Sequence, residues 1–163
     1  MKRMILMALG GGVLVALAGG FFYYAFYVNE PAPLDADSLA KKAMEAPVLE
    51  DRLTAASELS NLEGDEALIQ LKRLAKESKD PRVIARVLPQ LAARKRDSQT
   101  VELLLDTLSH GDAAVREVAF EELRSLVKID PKDKASFVPD DPADKREPAA
   151  KLLKEKYQKA PLR

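Results

Sequence analysis

The only imidazole in the chain, His110, stands just before Gly111 and Asp112, at the end of a stretch with helical apolar spacing. Catalysis asks for a tuned base, a nucleophile or a metal held in mutual reach. A single histidine without a second ligand does not supply that. In this position it reads as a group interacting with the negative end of a helix. No cysteine is present, so thiolate metal sites and disulfides are excluded. The adjacent carboxylates Glu121–Glu122 and Asp140–Asp141 point apart on a helix or cap a turn, rather than facing one another across a substrate. Five of the seven glycines fall within the first 20 residues, inside an apolar run, so no glycine-rich phosphate loop is available. These residues assemble no active site, no metal site and no cofactor site, and the chain reads as non-catalytic.

What remains is charge. Arg82, Arg86 and Arg94 lie at spacings that put them on one helical stripe, with Lys95 and Arg96 just beyond. Such a stripe suits an acidic protein partner or anionic lipid headgroups. It equally suits a solvated helix face neutralised by acidic residues on neighbouring elements. With 26 Lys and Arg against 26 Asp and Glu, the chain lacks the net basic footprint of a nucleic-acid binder, and no nucleic-acid partner is expected.

The elements that would carry this stripe begin after a very different N-terminal segment. Lys2 and Arg3 precede an uncharged run from Met4 to Val28. As a helix, 25 residues at about 1.5 Å each reach roughly 37 Å, enough to cross a hydrocarbon core of about 30 Å with some tilt. The run is therefore read as a transmembrane anchor over residues 1–28, meeting the bilayer through residues 4–28. The competing reading is a cleaved signal peptide with Ala16-Leu17-Ala18 as its small-residue site, but Phe21 to Val28 carries the apolar run past that point. Lys2 and Arg3 on one flank, with Glu30, Asp35 and Asp37 first on the other, predict a cytoplasmic amino terminus in a single-pass arrangement. The rest of the chain would then lie outside the cytoplasm. Phe21, Phe22, Tyr23, Tyr24, Phe26 and Tyr27 read as an aromatic belt at the far interface. Ala8, Gly12, Ala16 and Gly20 recur every four residues, a ridge that would let two transmembrane helices approach closely.

Residues 29–36, with two prolines and no periodicity, read as a tether. Asp37 or Ser38 is then expected to cap a first helix running to Ala46. Beyond it the chain repeats. Leu59, Leu91 and Leu123 are each 32 apart, and in the same register Ala55, Val87 and Ala119 align, as do Ala56, Leu88 and Phe120, and Asp80 with Asp112. Amphipathic periodicity predicts first helices over Pro47–Leu62, Pro81–Lys95 and Ala113–Val127, and second helices over Glu66–Glu77 and Thr100–Ser109. The fold class is expected to be all-α, with six to eight helices including the anchor and no sheet.

The segments DPRVIARVLPQL at 80–91 and DAAVREVAFEEL at 112–123, with EDRLTAASEL at 50–59, resemble the repeats of the bacterial HEAT-repeat family. The resemblance covers about residues 47–127, and its motif is degenerate. Repeat two departs from it, with Ile84 where Arg52 and Arg116 sit, Arg94 where Leu62 and Leu126 sit, and Pro89 inside the helix. The resemblance implies an α-solenoid of about two and a half helix pairs over residues 37–135. It also implies a scaffold or interaction role, such as an accessory subunit of a membrane protein complex with protein partners in or at the membrane. Its bilin-lyase-like relatives offer the alternative of a small-ligand or chromophore site. Against this, the chain beyond the anchor offers only Phe120, Phe137 and Tyr157 as aromatics. The His-Glu pairs with which HEAT-fold hydroxylases hold iron are absent. Residues 137–157 are similar to a closing element in some envelope proteins of this type, with Tyr157 standing where a tryptophan is usual. Residues 136–163 are accordingly expected to form a loop and a capping helix. Lys128–Ser136 is expected to be loop, and a helix to start at Pro148. Leu152, Leu153 and Tyr157 should pack near Phe120, Leu123 and Leu126.

Overall fold

Aspartates start most of the helices. In the computed structural model, which describes residues 35–162, Asp35 accepts the Ser38 amide at 2.8 Å and opens α1, Ala36–Glu45. The cap is thus Asp35 rather than Asp37 or Ser38, and the helix begins at the last residue assigned to the tether. The aspartate three residues before Ser38 reaches an exposed amide, which either later candidate would have left unpaired. Asp80, Asp97 and Asp112 do the same for α4 (Pro81–Arg94), α5 (Ser98–Thr107) and α6 (Ala113–Leu126). Asp130 caps α7, Pro131–Ser136. Three helices start without a side-chain cap: α2 (Leu49–Asn61) after Val48, α3 (Asp65–Glu77) after Gly64, and α8 (Ala143–Tyr157) after Pro142. Gly64 has φ of +99°, a region that side chains rarely adopt, and its permissiveness makes the turn between α2 and α3.

The described residues are all-helical, with eight helices and one isolated antiparallel bridge, between Val127 and Leu162. The helices alternate between two layers. α2, α4 and α6 neighbour one another in sequence, while α1, α3, α5 and α8 lie behind them, α1 packed on α2 and α3, and α8 packed on α5 and α7. The 32-residue register is legible in burial. Ala55, Val87, Ala119, Leu59, Leu91 and Leu123 are all fully buried, and so are Ala56 and Leu88, with Phe120 nearly so. In the second layer Leu71 and Leu104 are both fully buried, at matching positions of α3 and α5. A residue type repeated every 32 positions therefore meets the same environment each time, as stacked helix pairs require.

Past α6 the chain departs from the expected loop. Asp130 and Pro131 give Lys128–Ser136 both a cap and a pre-set first position, and the six-residue α7 forms there. The last helix also starts earlier than Pro148. It runs unbroken through that residue from Ala143. The hydrogen bond that Pro148 forfeits would go to the carbonyl of Asp144, an exposed residue of the first turn, where water can take its place. Leu153 is fully buried and Tyr157 nearly so, but Leu152 is 47% exposed and does not join the core. α8 lies along α5 and α7, held by Lys154 on Asp106 and by Lys156 on Asp133, and its Leu153 and Tyr157 belong to the same buried cluster as Phe120, Leu123 and Leu126. The Tyr157 hydroxyl donates to Asp133 at 2.6 Å and accepts the Asp130 amide at 2.8 Å, which fixes α7 to α8. Phe120 is met by Phe137, from the segment joining α7 to α8, with ring centroids 5.0 Å apart.

Among the described residues no helix is long and apolar enough to cross a membrane. The expected anchor over residues 1–28, with Ala8, Gly12, Ala16 and Gly20, lies outside the described residues.

Candidate interaction groove between α2 and α4

Side by side in the first layer, α2 and α4 leave an open groove of about 650 Å3. Leu53 and Ala85 give it an apolar floor. Thr54, Ser57, Glu58 and Asn61 form its α2 wall, and Arg82 and Arg86 its α4 wall. Of the three arginines read from the sequence as one stripe, Arg82 and Arg86 line this groove and Arg94 does not. Arg86 donates from Nε to the Ser57 hydroxyl at 3.1 Å across the groove. Arg94 is set apart, below the groove along the same seam, where it donates to the Ser60 carbonyl at 3.3 Å. Both bridge α4 to α2 through neutral acceptors, so their charge is not cancelled by an ion pair among the described residues. Arg82 differs. Its fork closes on Asp80, the cap of its own helix, at 3.2 and 3.3 Å, with the arginine side chain 62% exposed.

Asp80 is the electrostatic centre of this seam. Besides Arg82 it receives Arg52 of α2 at 2.8 Å, and Arg52 also donates to the Ala46 carbonyl at 2.7 Å. The hydrogen bonds from Arg82 first, then from Arg52, outweigh the effect of burial and hold the Asp80 carboxyl at about 2, below its ordinary 3.8. A carboxylate depressed in the folded state stabilises the fold above its unfolded value, and that stabilisation is lost as pH falls through its folded value. Asp80→Asn keeps the cap but removes the charge. We expect it to cost about 1–2 kcal/mol at pH 7, after discounting for the exposed Arg82 side of the cluster. In urea titrations the gap between variant and parent should close between about pH 4 and pH 2. An unchanged gap at pH 2 would contradict this assignment.

Arg52 and Arg116 escaped the sequence reading as functional residues, though their shared register was visible. They do the same local work 64 positions apart, each donating to the backbone carbonyl six residues before it, Ala46 and His110 respectively. Ile84 occupies the equivalent place in the middle repeat, so that repeat has no such tie. Asp112, which corresponds to Asp80, is left to cap α6 through the Val115 amide at 3.2 Å.

His110 lies in the turn after α5, where its Nδ1 accepts the Asp112 amide at 3.0 Å. It belongs to the turn, not to a site. Among the described residues no three histidines or carboxylates converge on a point where a metal ion could sit. Glu121 pairs with Arg124. Glu122 has its carboxyl pushed up by burial and by the charge of Glu121 beside it. Asp141 accepts Arg146 through its backbone carbonyl at 3.2 Å. Of the aromatics named in the sequence, Phe120 and Phe137 face each other, and Tyr157 spends its hydroxyl on α7.

No protein-family model, no curated protein and no solved structure matches this chain.

Proposed function

We propose that this chain is a non-catalytic, membrane-tethered scaffold of HEAT-like helix pairs. Its first-layer groove docks an acidic segment of a protein partner in or at the membrane, as an accessory subunit of a membrane complex would. The observation that carries the reading is the α2–α4 groove, with an apolar floor and a wall on which Arg86 has no carboxylate partner. Extended surfaces between stacked helices suit a peptide laid along them, and an unneutralised guanidinium on the wall favours acidic side chains. The seam is also rigid. Arg52, Arg86 and Arg94 each cross from one of its helices to the other, so the groove needs little reorganisation to bind.

The tether rests on the sequence: the uncharged run from Met4 to Val28, with Ala8, Gly12, Ala16 and Gly20 as a helix-packing ridge and a cytoplasmic amino terminus. It would hold the helical domain near the outer face of a bacterial inner membrane, where partners share two dimensions and a modest groove affinity suffices. The reading is tested by reversing the groove's charge. Arg86→Glu in the full-length, detergent-solubilised protein should reduce co-purification of its partner at least about tenfold. The same preparation should keep its melting temperature, because Arg86 makes a single neutral bond at the surface. Undiminished co-purification would remove the groove from the account.

A further inference from the structure

Pro89 stands inside α4, and its ring nitrogen carries no hydrogen for the helix ladder. The carbonyl that loses its partner is that of Ala85, four residues back, and Ala85 lines the α2–α4 groove. In the first repeat the equivalent carbonyl, that of Leu53, is doubly served. Ser57 stands where Pro89 does, and besides its helical amide its hydroxyl donates to the Leu53 carbonyl at 2.9 Å. No side chain and no loop amide among the described residues reaches the Ala85 carbonyl. A helical carbonyl sits on the helix surface between its own residue and the next, here Ala85 and Arg86, and both line the groove. Arg86 has spent only its Nε, on the Ser57 hydroxyl at 3.1 Å, and its terminal nitrogens have no partner among the described residues.

We propose that the Ala85 carbonyl and the Arg86 guanidinium form one recognition site, which takes an acidic segment of the partner in extended conformation. A backbone N–H of the segment donates to the carbonyl, and a neighbouring carboxylate accepts from Arg86. The inference rests on the docking reading above and adds to it the conformation of what docks. Beyond its first turn a helical segment has spent its amides on itself, whereas an extended one presents unpaired amides along its length. Ser57 cannot accept the amide instead, because its hydroxyl already accepts from Arg86 and donates to Leu53. Water serves the Ala85 carbonyl less well than it serves the one that Pro148 frees, since Ala85 and Pro89 are half-buried while Asp144 is exposed. Glu58 on the facing wall is exposed and repels a carboxylate from its own part of the groove, which leaves the place beside Arg86 for the acid.

The test uses the full-length chain in uncharged detergent micelles, with a short capped peptide alternating glutamate and leucine as the probe. A counterpart N-methylated at every amide keeps the charge and donates nothing. Calorimetric titration is expected to show saturable binding of the probe to the parent chain. Pro89→Ala returns the amide hydrogen to α4, occupies the carbonyl and should weaken that binding about fivefold, the worth of one hydrogen bond. Its melting temperature should hold or rise, because alanine favours the helix. The methylated peptide should bind the parent as weakly as the probe binds Pro89→Ala, and Pro89→Ala should cost it nothing further. Arg86→Glu should weaken both peptides at least about tenfold. If Pro89→Ala and methylation change nothing while Arg86→Glu weakens binding, the carbonyl has no part and the groove reading stands without it. Losses from Pro89→Ala and methylation that simply add overturn the inference in the same way. An absence of saturable binding to the parent overturns it too, while the docking reading keeps its own test by co-purification. Binding indifferent to Arg86→Glu overturns both. Should Pro89→Ala not fold, the two peptides compared on the parent chain still decide.

Discussion

Replacing Leu153 by Ala lowers the stability of the helical domain by about 3 kcal/mol, within the ~2–5 kcal/mol range for a fully buried leucine, whereas Leu152→Ala changes it by less than about 0.5 kcal/mol. The two residues are neighbours on α8 and differ in burial, 0% against 47% exposed, so the pair isolates packing from helix propensity. Ending the chain after Ala135 removes Leu153, Tyr157 and Phe137 together and exposes Phe120, which Phe137 covers. A small domain is stable by only ~5–15 kcal/mol, so the shortened chain is expected to melt far lower or not to fold cooperatively. Thermal denaturation followed by circular dichroism measures all three. A shortened chain that melts unchanged would mean that α8 is an appendage and not the end of the second layer.

The other large effect is expected at Arg116. Arg116→Met removes the donor of three backbone hydrogen bonds from a buried position and leaves the carbonyls of His110, Gly111 and Pro139 with one partner fewer. We expect a loss of about 2–4 kcal/mol. Arg52→Met, at the same register but with its side chain 21% exposed, should lose about half as much, since Asp80 keeps Arg82. Chemical denaturation of both variants checks the order. A smaller loss at Arg116 than at Arg52 would contradict the reading that the third repeat is tied to the C-terminal segment through that side chain.

The helices of the repeats were legible because their signal is redundant. The apolar period, the 32-residue register and the capping aspartates at 80, 97 and 112 each mark the same boundaries. Where only one of these signals was present, the reading slipped. Asp35, Asp37 and Ser38 all can cap, and only the path of the chain chooses Asp35. Pro148 signals a helix start in sequence, yet a proline one turn further in is tolerated when the carbonyl it frees is in solvent. Leu152 and Leu153 are equivalent by composition. Which of them is buried depends on α8 lying along α5, a long-range contact with no local signature. The arginine stripe was found from its spacing, but the division of labour within it was not. That Arg82 is neutralised by its own cap while Arg86 and Arg94 reach neutral acceptors is a matter of side-chain direction.

The proposed function requires that a protein partner cover the groove between α2 and α4. Site-specific photocrosslinking in intact membranes tests it most directly, with a photoreactive residue at Thr54 in the groove and, as a control, at Leu152 on the exposed face of α8. The expected result is a discrete crosslinked protein product from position 54 that disappears when Arg86 is changed to Glu, and none from position 152. A product from position 152 with none from position 54, or a product from position 54 indifferent to Arg86→Glu, would contradict it.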